Sequence, residues 1–118
     1  GNDAMEPYMQ ILQKTKLHLL DTTEKIIARS ADNPDEIGAA SYAYLELMGL
    51  SLYCFMWVRM MAAALKAKRS ADSDETYLKS LMNTGEFFFA RLLPKADALS
   101  AEIAAGADTL MAMTAEQF

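Results

Sequence analysis

FFFARLLPKADAL, residues 87–99, carries a proline in the middle of an apolar run. Proline has no amide hydrogen and its ring collides with the preceding turn, so inside a helix it bends or stops the chain. Whether Pro94 ends a helix or interrupts one that continues decides how many long elements the chain has. Gly85, Phe88, Leu92, Ala96, Leu99 and Ile103 advance in steps of three and four straight across it. A turn at Pro94 would leave nothing to keep the two halves in register. The spacing therefore predicts one helix over residues 73–105, bent at Pro94, where the carbonyl of Ala90 loses its partner. Leu78, Leu81, Met82 and Phe89 complete its stripe, and Gly106 supplies the stop. Asp72 or Ser73 is placed to cap its start, with Glu75 completing a capping box from Asp72.

Upstream, ADNPDE (residues 31–36) marks a boundary. The Asn33 oxygen can accept from free amides, the fixed φ of Pro34 suits a first helical turn, and Glu36 follows the cap by three residues. A second helix is expected over residues 34–69. It is apolar nearly all round, from Tyr42 through Phe55, Trp57 and Met61 to Leu65, and such a helix is buried on every side. Two neighbours cannot cover it, so part of its surface is expected to meet another surface. The first helix is expected over residues 4–31. Met5, Leu12, Leu19 and Ile26 recur every seven residues, Leu20 and Ile27 widen the buried face, and Asp21 and Lys25 stand outside at i,i+4. Pro7 falls in or before the first turn, where a missing amide costs little. Short loops make neighbours antiparallel, so the expected fold is all-α, an up-down-up three-helix bundle occupying residues 1–118 as one domain. The tail ADTLMAMTAEQF has room for one helical turn, and Leu110, Met111, Met113 and Phe118 suggest that it packs back onto the bundle.

The composition bounds the function. Hydrophobic residues make up 53% of the chain and charged residues 23%. Those shares place it among folded domains rather than disordered tails. A net charge of -5 argues against nucleic-acid or anionic-membrane binding, since both need a basic face. Residues 47–65 raise the question of a membrane span, but Arg59 interrupts the run. The uncharged stretches on either side are shorter than the roughly 20 residues a span needs. A buried central helix is the preferred reading. One cysteine, Cys54, excludes an internal disulfide and fits a reducing, cytoplasmic compartment. The start, GNDAMEPY, has no basic region followed by an apolar core, so no signal peptide is read there. Gly1 in place of methionine reads as the scar of a removed tag, and the chain as part of a longer protein.

No constellation of catalytic residues emerges. Di-iron bundles need Glu-x-x-His pairs, and the one histidine, His18, has no glutamate three residues before it. Zinc needs several Cys and His ligands. There is no glycine-rich phosphate loop and no nucleophile beside a base, so Cys54 reads as a small buried apolar residue. Catalytic, cofactor-binding and metal-binding residues are therefore all expected to be absent. Lys66, Lys68 and Arg69 suit a helix C-terminus. Glu46, Arg59, Glu86 and Arg91 are the polar residues set in the most apolar stretches. They either face outward and pair with one another or bridge to another domain or subunit. Phe87, Phe88 and Phe89 cover most of one turn, so at least one points away from the main stripe toward a second contact surface.

Three stretches carry a family resemblance: YAYLELMGLSLYCFMWVRMMAAAL (residues 42–65), FFFARLLPKADALSAEIAAGADTLMAM (87–113) and the terminal AEQF. They resemble the extra C-terminal helical domain of flavin-dependent acyl-CoA dehydrogenases of the 3-methylmercaptopropionyl-CoA dehydrogenase-like subgroup, most specifically in MWVRM, FFFARLLP and GADTLMAM. Lys95 departs from the pattern, which leads one to expect an acid there. The resemblance implies a longer flavoenzyme that removes the α-proton of an acyl-CoA with a glutamate base and passes a β-hydride to FAD. It implies that the base, the FAD contacts and the acyl-CoA contacts lie in upstream domains, and no catalytic residue carries over onto this chain. The module is then expected to bind no cofactor itself and to shape domain and subunit contacts in a homo-oligomer. The competing expectation is a free-standing, self-associating helical module.

Overall fold

The computed structural model describes residues 4–118, and every regular element among them is helical. Gly1, read above as a tag scar, lies outside the described residues. Helix α1 spans Glu6–Asp32, α2 Asp35–Ala67, α3 Glu75–Phe87, α4 Lys95–Ala104 and α5 Asp108–Met111. A π-helical turn, Phe88–Leu92, joins α3 to α4, and a 3₁₀ turn, Ala115–Gln117, closes the chain.

Where the spacing predicts one helix over residues 73–105, the structure has α3, the π-helical turn and α4 in series. The backbone keeps helical angles at Phe88, Leu93 and Pro94. However, the Leu93 amide reaches back five residues to the Phe88 carbonyl at 2.9 Å, which widens the turn by one residue. The widened turn relieves the clash that the proline ring would impose on a regular one. It also shifts the stripe. Leu93 is 8% exposed and Leu92 47%, so the buried row runs Gly85, Phe88, Leu93, Ala96, Leu99, Ile103 with one step of five. The unbroken three-and-four spacing through Leu92 is therefore corrected.

Local signals explain the other ends. Asn33 and Pro34 alone separate α1 from α2, and the Asn33 Oδ1 accepts from the Asp35 amide at 3.1 Å. The cap of α3 is Asp74 rather than Asp72 or Ser73, its Oδ1 accepting from the Tyr77 amide at 3.1 Å. Gly106 follows α4 with φ +76, a left-handed conformation that glycine adopts without a Cβ penalty. Glu36 forms no capping box. Its Oε1 accepts from the Ala107 amide at 3.3 Å and ties the start of α2 to the end of α4. Arg29 makes a second tie, its Nη1 donating to the Ile103 carbonyl at 3.1 Å.

Helix α2 is the centre, touching α1, α3 and α4. Ala40, Ala43 and Leu47 pack on Ala96, Leu99 and Ile103 of α4, with Leu19 and Ile26 of α1 against them. Nearer the other end, Val58 and Met61 meet Met5, Tyr8, Leu12, Met82 and Phe89. Cys54, Phe88 and Leu93 fill the space between. Leu20 and Ile27, expected to widen the buried face of α1, are half or more exposed, because α2 and α4 cover only its other side. The tail does not pack back either: Leu110, Met111, Met113 and Phe118 are all exposed. The domain measures 70 × 28 × 16 Å, with a radius of gyration of 19.2 Å. A compact domain of this size has about 13 Å. Its thin axis is only modestly wider than one helix, whose diameter is roughly 10–12 Å. Helix α2 is accordingly covered on one side only.

Candidate docking surface on the central helix

Residues with chemical potential are dispersed. Cys54 is fully buried, and burial pushes its thiol up while a hydrogen bond with the Thr15 side chain opposes the shift. It touches Phe88, Leu93 and other apolar groups rather than a base, so it is packing material. His18 lines an open groove of about 200 Å³ with Lys14, Thr15, Pro94 and Asp97. Among the described residues, no group of three or more His, Cys, Asp or Glu side chains is placed to hold a metal.

The four polar residues singled out in the apolar stretches do not form one network. Glu46 pairs with Lys95 of α4 at 3.6 Å, which gives the unexpected lysine after RLLP a local partner. The Arg59 guanidinium lies 5.6 Å from the Phe55 ring centre on the same helix. At that distance the cation is drawn to the face of the ring. Glu86 and Arg91 face solvent, and Glu86 reinforces burial in raising the Tyr8 hydroxyl above its ordinary value. The phenylalanines divide as expected. Phe88 is buried with its ring 6.3 Å from Trp57, Phe89 meets Tyr8 at 4.9 Å, and Phe87 points out.

The largest unexplained feature is the far side of α2. Its buried row, Ala40, Ala43, Leu47, Ser51, Cys54, Val58, Met61, faces the other helices. Opposite it lie Tyr42, Leu45, Leu52, Tyr53 and Met56, with Phe55 on the flank, all between 44% and 72% exposed. At about 200 Å² for a large apolar or aromatic side chain, these six leave on the order of 700 Å² uncovered. That exceeds the roughly 300–600 Å² of the largest apolar patch on a typical monomer. Within the patch, Tyr42, Leu45, Gly49, Leu52, Met56 and Arg59 follow in alternating steps of three and four. That is the heptad spacing of a helix seam made for another helix. The sequence shows that α2 is apolar all round but does not single out this seam, because the buried row repeats with nearly the same period. The two faces become distinguishable once α1 and α4 are seen to share one side. By length and composition α2 could also cross a membrane, and a third of its most apolar stretch is buried inside the domain. A core helix of a folded domain meets the same length and composition, so these alone do not mark a span.

Among the described residues, the groove, the buried thiol and the ion pairs lie apart from one another, and the outer face of α2 is the main exposed apolar surface. No curated protein matches the chain. The family model described as acetyl-CoA dehydrogenase C-terminal like matches residues 1–114, which is nearly the whole length. The chain belongs to this family of acyl-CoA dehydrogenase C-terminal-like domains.

Proposed function

We propose that the chain is the non-catalytic C-terminal helical domain of an acyl-CoA dehydrogenase-like flavoenzyme of the 3-methylmercaptopropionyl-CoA dehydrogenase-like subgroup. Its scaffold is an up-down-up arrangement of three long helices, the third bent at Pro94, with α2 in contact with both neighbours. In the parent enzyme, upstream domains hold FAD and the acyl-CoA and carry out α,β-dehydrogenation in the cytoplasm. The domain itself works by contact, joining those domains or a neighbouring subunit of a homo-oligomer. The observation that carries this reading is the bare apolar face of α2, in a domain whose described polar residues are dispersed. A free-standing self-associating module accounts for the same face. The gene upstream of the Asn2 codon separates the two: a long continuous reading frame fits the enzyme domain, and a nearby start codon fits the module.

The test of the non-catalytic role is direct. The purified chain, incubated with FAD and dialysed, should show no flavin absorption band and should oxidise no acyl-CoA with an artificial electron acceptor. A stoichiometric flavin band or turnover contradicts the reading.

A further inference from the structure

We propose that a second copy of this chain covers the outer face of α2, with the two α2 helices antiparallel about a two-fold axis between Gly49 and Leu52. This deepens the contact role proposed above and rests on it. The outer seam is self-complementary in that orientation. Reversing α2 on itself about that axis sets Leu45 against Met56 and Gly49 against Leu52 of the other copy. It sets Tyr42 against Arg59, an aromatic ring against a guanidinium. In antiparallel coiled seams the two kinds of core position alternate across the axis in this way.

Charge and area point the same way. Asp35 stands at the start of α2 and Lys66 in its last turn, whereas Glu36 is turned inward to the Ala107 amide. A parallel pair would set like charges together, whereas the antiparallel pair sets Asp35 against Lys66 and opposes the helix dipoles. The apolar side chains of the seam, Tyr42, Leu45, Leu52 and Met56, expose on the order of 500 Å², a large part of the roughly 800 Å² per partner that a standard stable interface buries. Gly49 adds an independent hint. A Cβ there would meet nothing within 4 Å, so nothing inside the domain requires glycine at this mid-helix position. Glycine costs about 1 kcal/mol relative to alanine in a helix interior. In the paired seam its missing side chain lets Leu52 of the other copy approach the backbone.

Register-specific cross-linking tests this. Native Cys54 is buried and does not compete. In Leu45→Cys/Met56→Cys the two new thiols of one chain lie about 16 Å apart along the helix and cannot join, but each faces its counterpart in the other copy. Mild oxidation should give a disulfide-linked dimer. Leu45→Cys alone should give almost none. Sedimentation equilibrium of the unaltered chain should show a dimer, and Leu45→Glu/Leu52→Glu should weaken it by at least about 100-fold with its helical circular dichroism unchanged. A monomer at all concentrations overturns the proposal, as does a monomer that floats with phosphatidylcholine vesicles. Cross-linking by Leu45→Cys alone, or a dimer that survives the glutamates, overturns it too. None of these outcomes touches the flavin result, which alone decides the non-catalytic reading.

Discussion

Gly85→Ala places one methyl group where α3 crosses α2 most closely. A Cβ at this position would lie 2.5 Å from Met61 Sδ, 2.9 Å from Met61 Cγ and 3.1 Å from Trp57 Cε3. Met61 is 0% exposed and cannot swing into solvent. Trp57 is held by Phe88 at 6.3 Å, and α3 cannot retreat without moving that ring. Overpacking of this kind costs about 1–3 kcal/mol. Alanine returns about 1 kcal/mol of helix propensity. The net expectation is a loss of about 1 kcal/mol, or about 4 °C in melting temperature for a domain of this size. Thermal and urea unfolding, followed by circular dichroism, measure it. A double-mutant cycle isolates the cause. In a Met61→Ala background, itself costing about 2–5 kcal/mol, the methyl group has room and Gly85→Ala should turn neutral or stabilising. If Gly85→Ala is as stable as the parent, or loses as much in the Met61→Ala background as it does beside the native Met61, the close approach of α3 to α2 is wrong.

Gly106→Ala should destabilise by about 1–2 kcal/mol, the penalty of holding a side-chain-bearing residue in a left-handed conformation. The backbone φ there is +76, and the Glu36 carboxylate stands 3.3 Å from the new methyl. Unfolding in urea reads it. Asp74→Ala should cost about 1 kcal/mol, and Asp74→Asn should restore most of that, both measured by thermal melts. The cause is the Tyr77 amide, which loses its acceptor. Glu36→Gln should speed hydrogen exchange at the Ala107 amide while leaving the mid-helix amides of α2 unchanged, since it loosens one tie and no core contact. Stability should also fall as pH rises through about 9. Burial raises the Cys54 thiol above that value, so the unfolded chain gives up this proton first and gains on the native state. Tyr8, raised by burial and by Glu86, should extend the fall above about 10. Cys54→Ala should flatten the first part of the curve, and an unchanged slope would show that the thiol does not contribute.

The first two helices were legible because their signals are local. An asparagine–proline pair at residues 33 and 34 and a long apolar run set their ends within about two residues. The region around Pro94 was harder. A spacing of three and four fits Leu92, and only the hydrogen bond from Leu93 back to Phe88 shows that one residue is taken up in a wider turn. Periodicity alone cannot register an insertion when both Leu92 and Leu93 are apolar. Leu20, Ile27 and the tail misled for another reason. They are apolar, but no further element among the described residues covers them, and coverage is a tertiary property. The docking face was half legible: the excess of apolar residues on α2 pointed to a second contact, while the side it occupies depended on where α1 and α4 settle.

Whether the outer face of α2 is covered in the working protein can be measured by labelling. Leu52→Cys on that face and Leu17→Cys on the exposed side of α1 can each be reacted with a maleimide in the native protein and again in urea. If the face is covered, the position at 52 labels at least about tenfold more slowly than the position at 17 in the native protein, and equally fast once unfolded. Equal rates in the native protein would mean that the face stays open to water, and the contact role would fail with it.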